Sequence, residues 1–309
     1  MLAPGAAGAQ EYPSKPVRVI VPFPPGGYTD VVARIVAQGL SDKFGQTFTV
    51  DNRPGAGTVI GAEAVARAQP DGYTLMVAGS STFTINPVLI HNLPYDPVKS
   101  FAPVGVVAYT PMMLLANPSF PAGSVKELVA LAGPSPGKYA YGSFGSGTIS
   151  QFAGEAFAAA VGIRLLHVPY KGSAFVMNDL VAGQLPLSFD TLVVAAPQMR
   201  AGKIKALAVL TRERNRLFPA LPTVAESGYP GFDIGTWIAL TAPAGTPEAV
   251  MRKLRSEVSA IVTQKANIER MEGLGVDAIK PTAEEFTRYM QGDIARYTKI
   301  AAEANIKAE

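Results

Sequence analysis

Two glycine-bearing stretches carry most of the chemistry in this 309-residue chain. The first, Phe23-Pro24-Pro25-Gly26-Gly27-Tyr28-Thr29-Asp30, leaves a β-branched run and enters a segment of helical period. Glycine frees the backbone to turn its N–H groups outward, and a helix N-terminus carries roughly half a positive charge. Such a loop can seat a carboxylate. Taken alone, it is also a tight strand-to-helix turn with Thr29 or Asp30 as N-cap. The second stretch, Gly142-Ser143-Phe144-Gly145-Ser146-Gly147-Thr148, has the same placement between a strand and a helix. Two anion-ready loops could face each other across one cleft. Gly145-x-Gly147 does not make a dinucleotide fingerprint, because position 150 is Ser and no acidic residue lies ~20 positions on at a strand end.

The remaining reactive side chains argue against catalysis. The sequence has no H-E-x-x-H, no G-x-S-x-G and no Walker loop. Cysteine is absent, which excludes disulfides and thiolate chemistry. Of the two histidines, His91 lies in a Pro/Asn-rich loop and His167 in an apolar strand, where each reads as a satisfied structural residue rather than a base or metal ligand. No metal site and no cofactor are expected. Asp190 ends a strand and either accepts a ligand's donor or caps the next helix. The lone Trp237 reads as core.

The elements that must position these loops are those of an α/β protein. Short β-branched runs at 17–21, 47–50 and 73–77 alternate with helical periodicity at 31–45 and 58–68. A second set follows position 111, with strands expected at 112–116, 138–141, 165–168, 185–189 and 205–210 and helices at 125–131, 149–161 and 174–182. From Trp237 come one strand and amphipathic helices at 247–263, 266–272 and 283–302. Three blocks for two domains imply that the chain leaves its first domain and returns, giving residues 12–111 with 225–309 as one domain and 112–224 as the other. Ligands of open α/β sheets bind outside the carboxyl ends of the strands, which is where both loops fall. With 48% hydrophobic and 17% charged residues, the composition is neither disordered nor fibrous. A net charge of +3 without a basic stripe speaks against nucleic acid, since the Arg212 to Arg216 cluster is broken by Glu213 and Asn215. The first eleven residues, with Ala7-Gly8-Ala9, look like the remnant of an export signal or a small-residue leader.

In order along the chain, these segments resemble the Bug family, the solute receptors of tripartite tricarboxylate transporters. The matching stretches are Pro24-Pro25-Gly26-Gly27-x-Thr29-Asp30 with Ala33-Arg34; Asn52-Arg53-Pro54-Gly55-Ala56-Gly57; Ile60-Gly61-Ala62; Pro70-Asp71-Gly72-Tyr73-Thr74; Ile85-Asn86-Pro87; Val168-Pro169-Tyr170-Lys171-Gly172; Phe189-Asp190; and Ala242-Pro243-Ala244-Gly245-Thr246-Pro247. The resemblance implies a two-domain Venus-flytrap fold of the type II periplasmic-binding class, each domain a mixed, mainly parallel sheet flanked by helices. It implies a periplasmic monomer that closes on a small carboxylate and hands it to a membrane permease; a sensor feeding a signalling partner would need the same cleft. By position, Gly26, Gly27, Tyr28, Thr29, Ser143, Gly145, Ser146 and Thr148 would form the common carboxylate end, with Phe23, Asp30, Phe144 and Gln151 also among the expected ligand-binding residues. Ser81, Tyr170, Lys171, Gly172, Asp190 and Thr191 would lie nearer the variable end. The chain departs from the family pattern at Tyr28 and Phe175, where Pro is usual, at Phe144, where a small residue is usual, and at Gln151, where His is common. Three added rings near a cleft favour a flat apolar solute such as a terephthalate-like diacid. If those rings face other side chains, an aliphatic dicarboxylate fits as well.

Overall fold

The computed structural model describes residues 12–307; the expected leader lies outside the described residues. The chain opens with β1 (Val17–Val21), α1 (Tyr28–Phe44), β2 (Phe48–Asn52), a 3-10 turn at Ala56–Thr58, α2 (Val59–Ala66), β3 (Thr74–Gly79), a π-helical turn at Ser81–Ile85 and α3 (Asn86–Leu89). The 16-residue β4 (Phe101–Ala116) carries it into α4 (Val125–Ala132), β5 (Ala140–Ser143), α5 (Ile149–Val161), β6 (Leu166–Pro169), α6 (Ser173–Val181), β7 (Leu187–Thr191), α7 (Leu192–Arg200) and β8 (Lys205–Val209). It then returns through β9 (Gly235–Pro243), α8 (Glu248–Val262), α9 (Lys265–Gly273), β10 (Asp277–Ala278) and α10 (Ala283–Ala304).

Local sequence explains the elements nearest the loops. β1 is VRVIV with four of its five residues buried, as a β-branched central strand requires. α1 buries Val32, Ala33, Ile35, Val36 and Leu40 along one stripe, and Gly45 ends it in the left-handed conformation, its N–H donating to the Ser41 carbonyl. Thr282 caps α10 by accepting the Glu285 N–H at 3.0 Å.

The strands run β2-β1-β3-β9-β4-β7-β5-β6, with β8 and β10 also pairing to β4. Each half has a parallel trio, β2-β1-β3 and β6-β5-β7, joined to the middle by antiparallel ladders. β4 belongs to both halves. Its Phe101–Pro111 stretch pairs with β9, and at Met112 it changes partner to β7. The expected strand at 112–116 is therefore the end of a strand more than twice as long.

α10 straddles the halves in the same way. Phe286 and Met290 pack with Phe83 and Trp237 under the first, while Tyr297 and Ala301 join Phe152 and Phe157 in the core of the second. Asp293, midway along it, accepts the Trp237 indole N–H at 2.8 Å and the Arg296 guanidinium at 2.7 Å. The parallel trios place the carboxyl ends of β1, β3, β5 and β7, and the loops after them, in the crevice between the halves.

Candidate functional site

The loop after β1 is held from behind. Gly26, at φ 90°, donates its N–H to Asp30 Oδ2 at 3.0 Å. Arg34 meets both Asp30 oxygens at 2.9 Å, and Asn52 donates to Asp30 Oδ1 at 2.9 Å and to the Phe23 carbonyl at 2.9 Å. Burial alone would raise the Asp30 pKa, but the bonds from Arg34, Gly26 and Asn52 outweigh it and hold the carboxyl below its ordinary value. Asp30 was expected in the ligand site; here its carboxylate is engaged in fixing the loop and lines neither of the two spaces described below. The amides of Gly27, Tyr28 and Thr29 form the first turn of α1, where no earlier carbonyl exists to receive them.

The loop after β5 is arranged differently. Its amides meet side chains of the chain itself: Phe144 N–H to Ser150 Oγ at 3.3 Å, Gly145 N–H to Ser143 Oγ at 3.2 Å, and Gly147 N–H to Gln151 Oε1 at 2.7 Å. The Ile149 N–H crosses the crevice to Ser81 Oγ at 3.1 Å. Gln151, expected among the ligand-binding residues, is 2% exposed and serves as this internal cap. Ser143 Oγ also lies 2.7 Å from His167 Nε2, and the His167 ring stacks on Tyr141. The histidine is a structural partner of the loop.

Between the loops lies a cavity of about 30 Å³, room for one or two water-sized groups. Gly27, Tyr28 and Thr29 line it from α1, Ser81 from the turn after β3, and Phe144, Gly172 and Thr191 from the second half. Phe23 and Pro24 complete that set. No charged side chain is among its lining residues. Four aromatic residues, Phe23, Tyr28, Phe144 and Trp237, are among those that line it, and Ser80, Ser173 and Thr236 are hydroxyl-bearing members of the lining. The last three were not anticipated, whereas Trp237 is buried in the core as expected. The signal for Ser80 was its place just past the carboxyl end of β3.

A second, wider groove of about 410 Å³ lies on the other side of Phe23 and Phe144. It receives Gly145, Ser146, Thr148, Tyr170 and Lys171 of the expected residues. Tyr170 donates to Asp179 Oδ2 at 2.7 Å, and burial followed by the Asp179 charge pushes its phenol up to about 12. Lys171 is exposed and has no ion-pair partner among the described residues.

Asp190 sits behind the cavity wall with no exposed surface. Its Oδ1 accepts from Ser173 Oγ at 2.9 Å and from the Thr191 N–H at 2.7 Å, whereas Oδ2 has no hydrogen-bond partner. Burial raises this carboxyl to about 7 against the opposing pull of those bonds. The Tyr28 hydroxyl is likewise buried without a partner. Of the three added rings, Tyr28 and Phe144 reach the cavity; Phe175 does not. It is 55% exposed on α6 and lines neither space, so the expectation of a third ring at the cleft is corrected.

Residues 32–306 match the model of the tripartite tricarboxylate transporter family receptor. The chain belongs to that family. The receptor is 34% identical to protein BugT of Bordetella pertussis over 97% of this chain and 92% of that one. Among solved structures it is similar to R. palustris Rpa4515 with adipate, at 34% identity and TM-score 0.93, covering 96% of this chain and 99% of that one. It is also similar to MatC from Rhodopseudomonas palustris with bound malate, at 33% identity and TM-score 0.88, covering 94% and 99%. The fold is thus the two-domain binding-protein fold, and the receptor is a solute-binding protein rather than an enzyme. Among the described residues no helix is long and apolar enough to cross a membrane.

Proposed function

We propose that this receptor captures a small carboxylate with a flat, aromatic body in the periplasm and delivers it, as a monomer, to the membrane permease of a tripartite transporter. Its lobes are residues 12–111 with 225–309, and 112–224. The observation that carries the reading is the composition of the inner cavity. Four aromatic residues are among its lining, no charged residue lines it, and the open amides of α1 supply its positive end. A carboxylate satisfies those amides without a counter-charge, and the Phe23 and Phe144 rings at its edge offer apolar faces to an attached ring. The adipate and malate bound to the two related structures favour a second reading, an aliphatic dicarboxylate.

Trp237, the single tryptophan, is a lining residue of the cavity, and its indole N–H is held by Asp293, so intrinsic fluorescence serves as one probe of changes at the site. Titrating benzoate, terephthalate, succinate, adipate and citrate against that signal, with thermal unfolding in parallel, decides between the readings. Saturation at 100 times Kd stabilises by about 2.7 kcal/mol. Responses to the aromatic acids support the proposal, responses to the aliphatic acids alone move the assignment to the second reading, and silence across the panel overturns the carboxylate reading.

A further inference from the structure

The inner cavity and the outer groove share the lining residues Phe23, Pro24 and Phe144. The two phenyl rings meet edge to face, with centroids 5.8 Å apart and planes at 85°. They stand where the spaces adjoin, and the backbone on both sides is fixed, by Asn52 on the Phe23 carbonyl and by Ser150 on the Phe144 amide. Any opening between the spaces therefore falls to the side chains rather than to the backbone. The spaces differ in size and chemistry. At about 30 Å³ the inner one suits a carboxylate group but not the body attached to it, whereas the outer, at about 410 Å³, has room for a body. The outer walls are apolar, with Pro22, Pro54 and the Tyr170 ring, and Lys171 is the one charged residue that lines them.

Resting on the carboxylate-receptor reading, we propose that Phe23 and Phe144 form a partition through which the solute is threaded, and that Lys171 reads its far end. One carboxylate sits on the α1 amides, the flat body lies between the two rings, and a second anionic group reaches the outer groove beside Lys171. Rings turned face-on to a planar body gain stacking contact on both sides, which a branched or saturated body cannot match. The residue that makes the partition is Phe144, since a small side chain there would join the two spaces into one.

The test uses calorimetric affinities of wild type, Lys171→Met and Phe144→Ala for benzoate, terephthalate, succinate and citrate. Lys171 is exposed, so its replacement leaves the fold intact. The expected result is that Lys171→Met weakens terephthalate about three- to fivefold, the effect of a solvent-exposed ion pair, and leaves benzoate unchanged. Phe144→Ala is expected to weaken both aromatic acids about tenfold and to bind citrate at least as tightly as wild type. A terephthalate-to-benzoate ratio unmoved by Lys171→Met, or aromatic affinities unmoved by Phe144→Ala, overturns the partition. Wild-type binding of succinate or citrate alone overturns the partition and leaves the carboxylate reading standing, while binding of none overturns both.

Discussion

At the scale of single residues, the two buried acids near the cleft have opposite fates because their partners differ. Asp30 meets a guanidinium, an amide side chain and a backbone N–H, and stays ionised with its pKa lowered. Asp190 meets only hydroxyls and one N–H, with no cation among its causes of shift, and burial raises it to about 7. Between about pH 4, where an unfolded aspartate loses its proton, and pH 7, the native carboxyl keeps a proton that the unfolded chain has released. This group therefore makes the protein less stable as pH rises through that window, by at most about 1.4 kcal/mol per pH unit, and adds no further slope above it. Asp190→Asn, which cannot titrate, is expected to flatten the decline. The check is thermal midpoint against pH from 4.5 to 8 for both proteins, and parallel curves would show that Asp190 is ionised throughout. The neighbours Ser173 and Thr191, both cavity residues, bind only Oδ1, which leaves Oδ2 with a proton to offer or a lone pair to fill.

Elements announced themselves in the sequence to the extent that local chemistry defined them. α1, α5 and α10 stood out because their apolar periods are clean; Gly45 marked the end of α1, and the structure adds Gly162 after α5 and Thr282 before α10. Thr282→Ala, which removes the cap on the Glu285 N–H, is expected to lower stability by about 1 kcal/mol in urea unfolding, and an unchanged midpoint would show the cap is replaced by water. α7 was missed because Leu192-Val193-Val194 begins directly after a strand and Pro197 interrupts the period. β4 was seen only in its last five residues, since Pro103, Gly105 and Pro111 break the β-branched pattern; the register shifts between Pro103 and Gly105 and again between Val106 and Ala108. The two glycine loops were legible because strand, glycine and helix follow one another in order. What each loop does with its amides was not, because that depends on Ser81, Ser150 and Gln151, which reach back from other turns.

For the molecule as a whole, the two halves already touch across the crevice. Arg216 spans them on the far side to Glu272 at 3.3 Å and Asp277 at 3.0 Å, but with 76% of its side chain exposed that contact contributes little. The buried bond from the Ile149 N–H to Ser81 Oγ carries more, because closure removes water from both groups. Ser81→Ala leaves that N–H unsatisfied in the closed form alone and is expected to weaken closure by about 1–3 kcal/mol. The radius of gyration of the unliganded protein should rise in solution scattering and solute affinity should fall at least several-fold; if neither moves, the bond is not part of closure.

β4 and α10 are owned jointly, and that has a consequence for how the chain is made. The core of the first lobe needs Trp237, Phe286 and Met290, and that of the second needs Tyr297, all from the last quarter of the sequence. A chain emerging from its N-terminus can finish neither core until nearly all of it is out. Both lobes therefore depend on the final helix, and neither core is complete until that helix has been made.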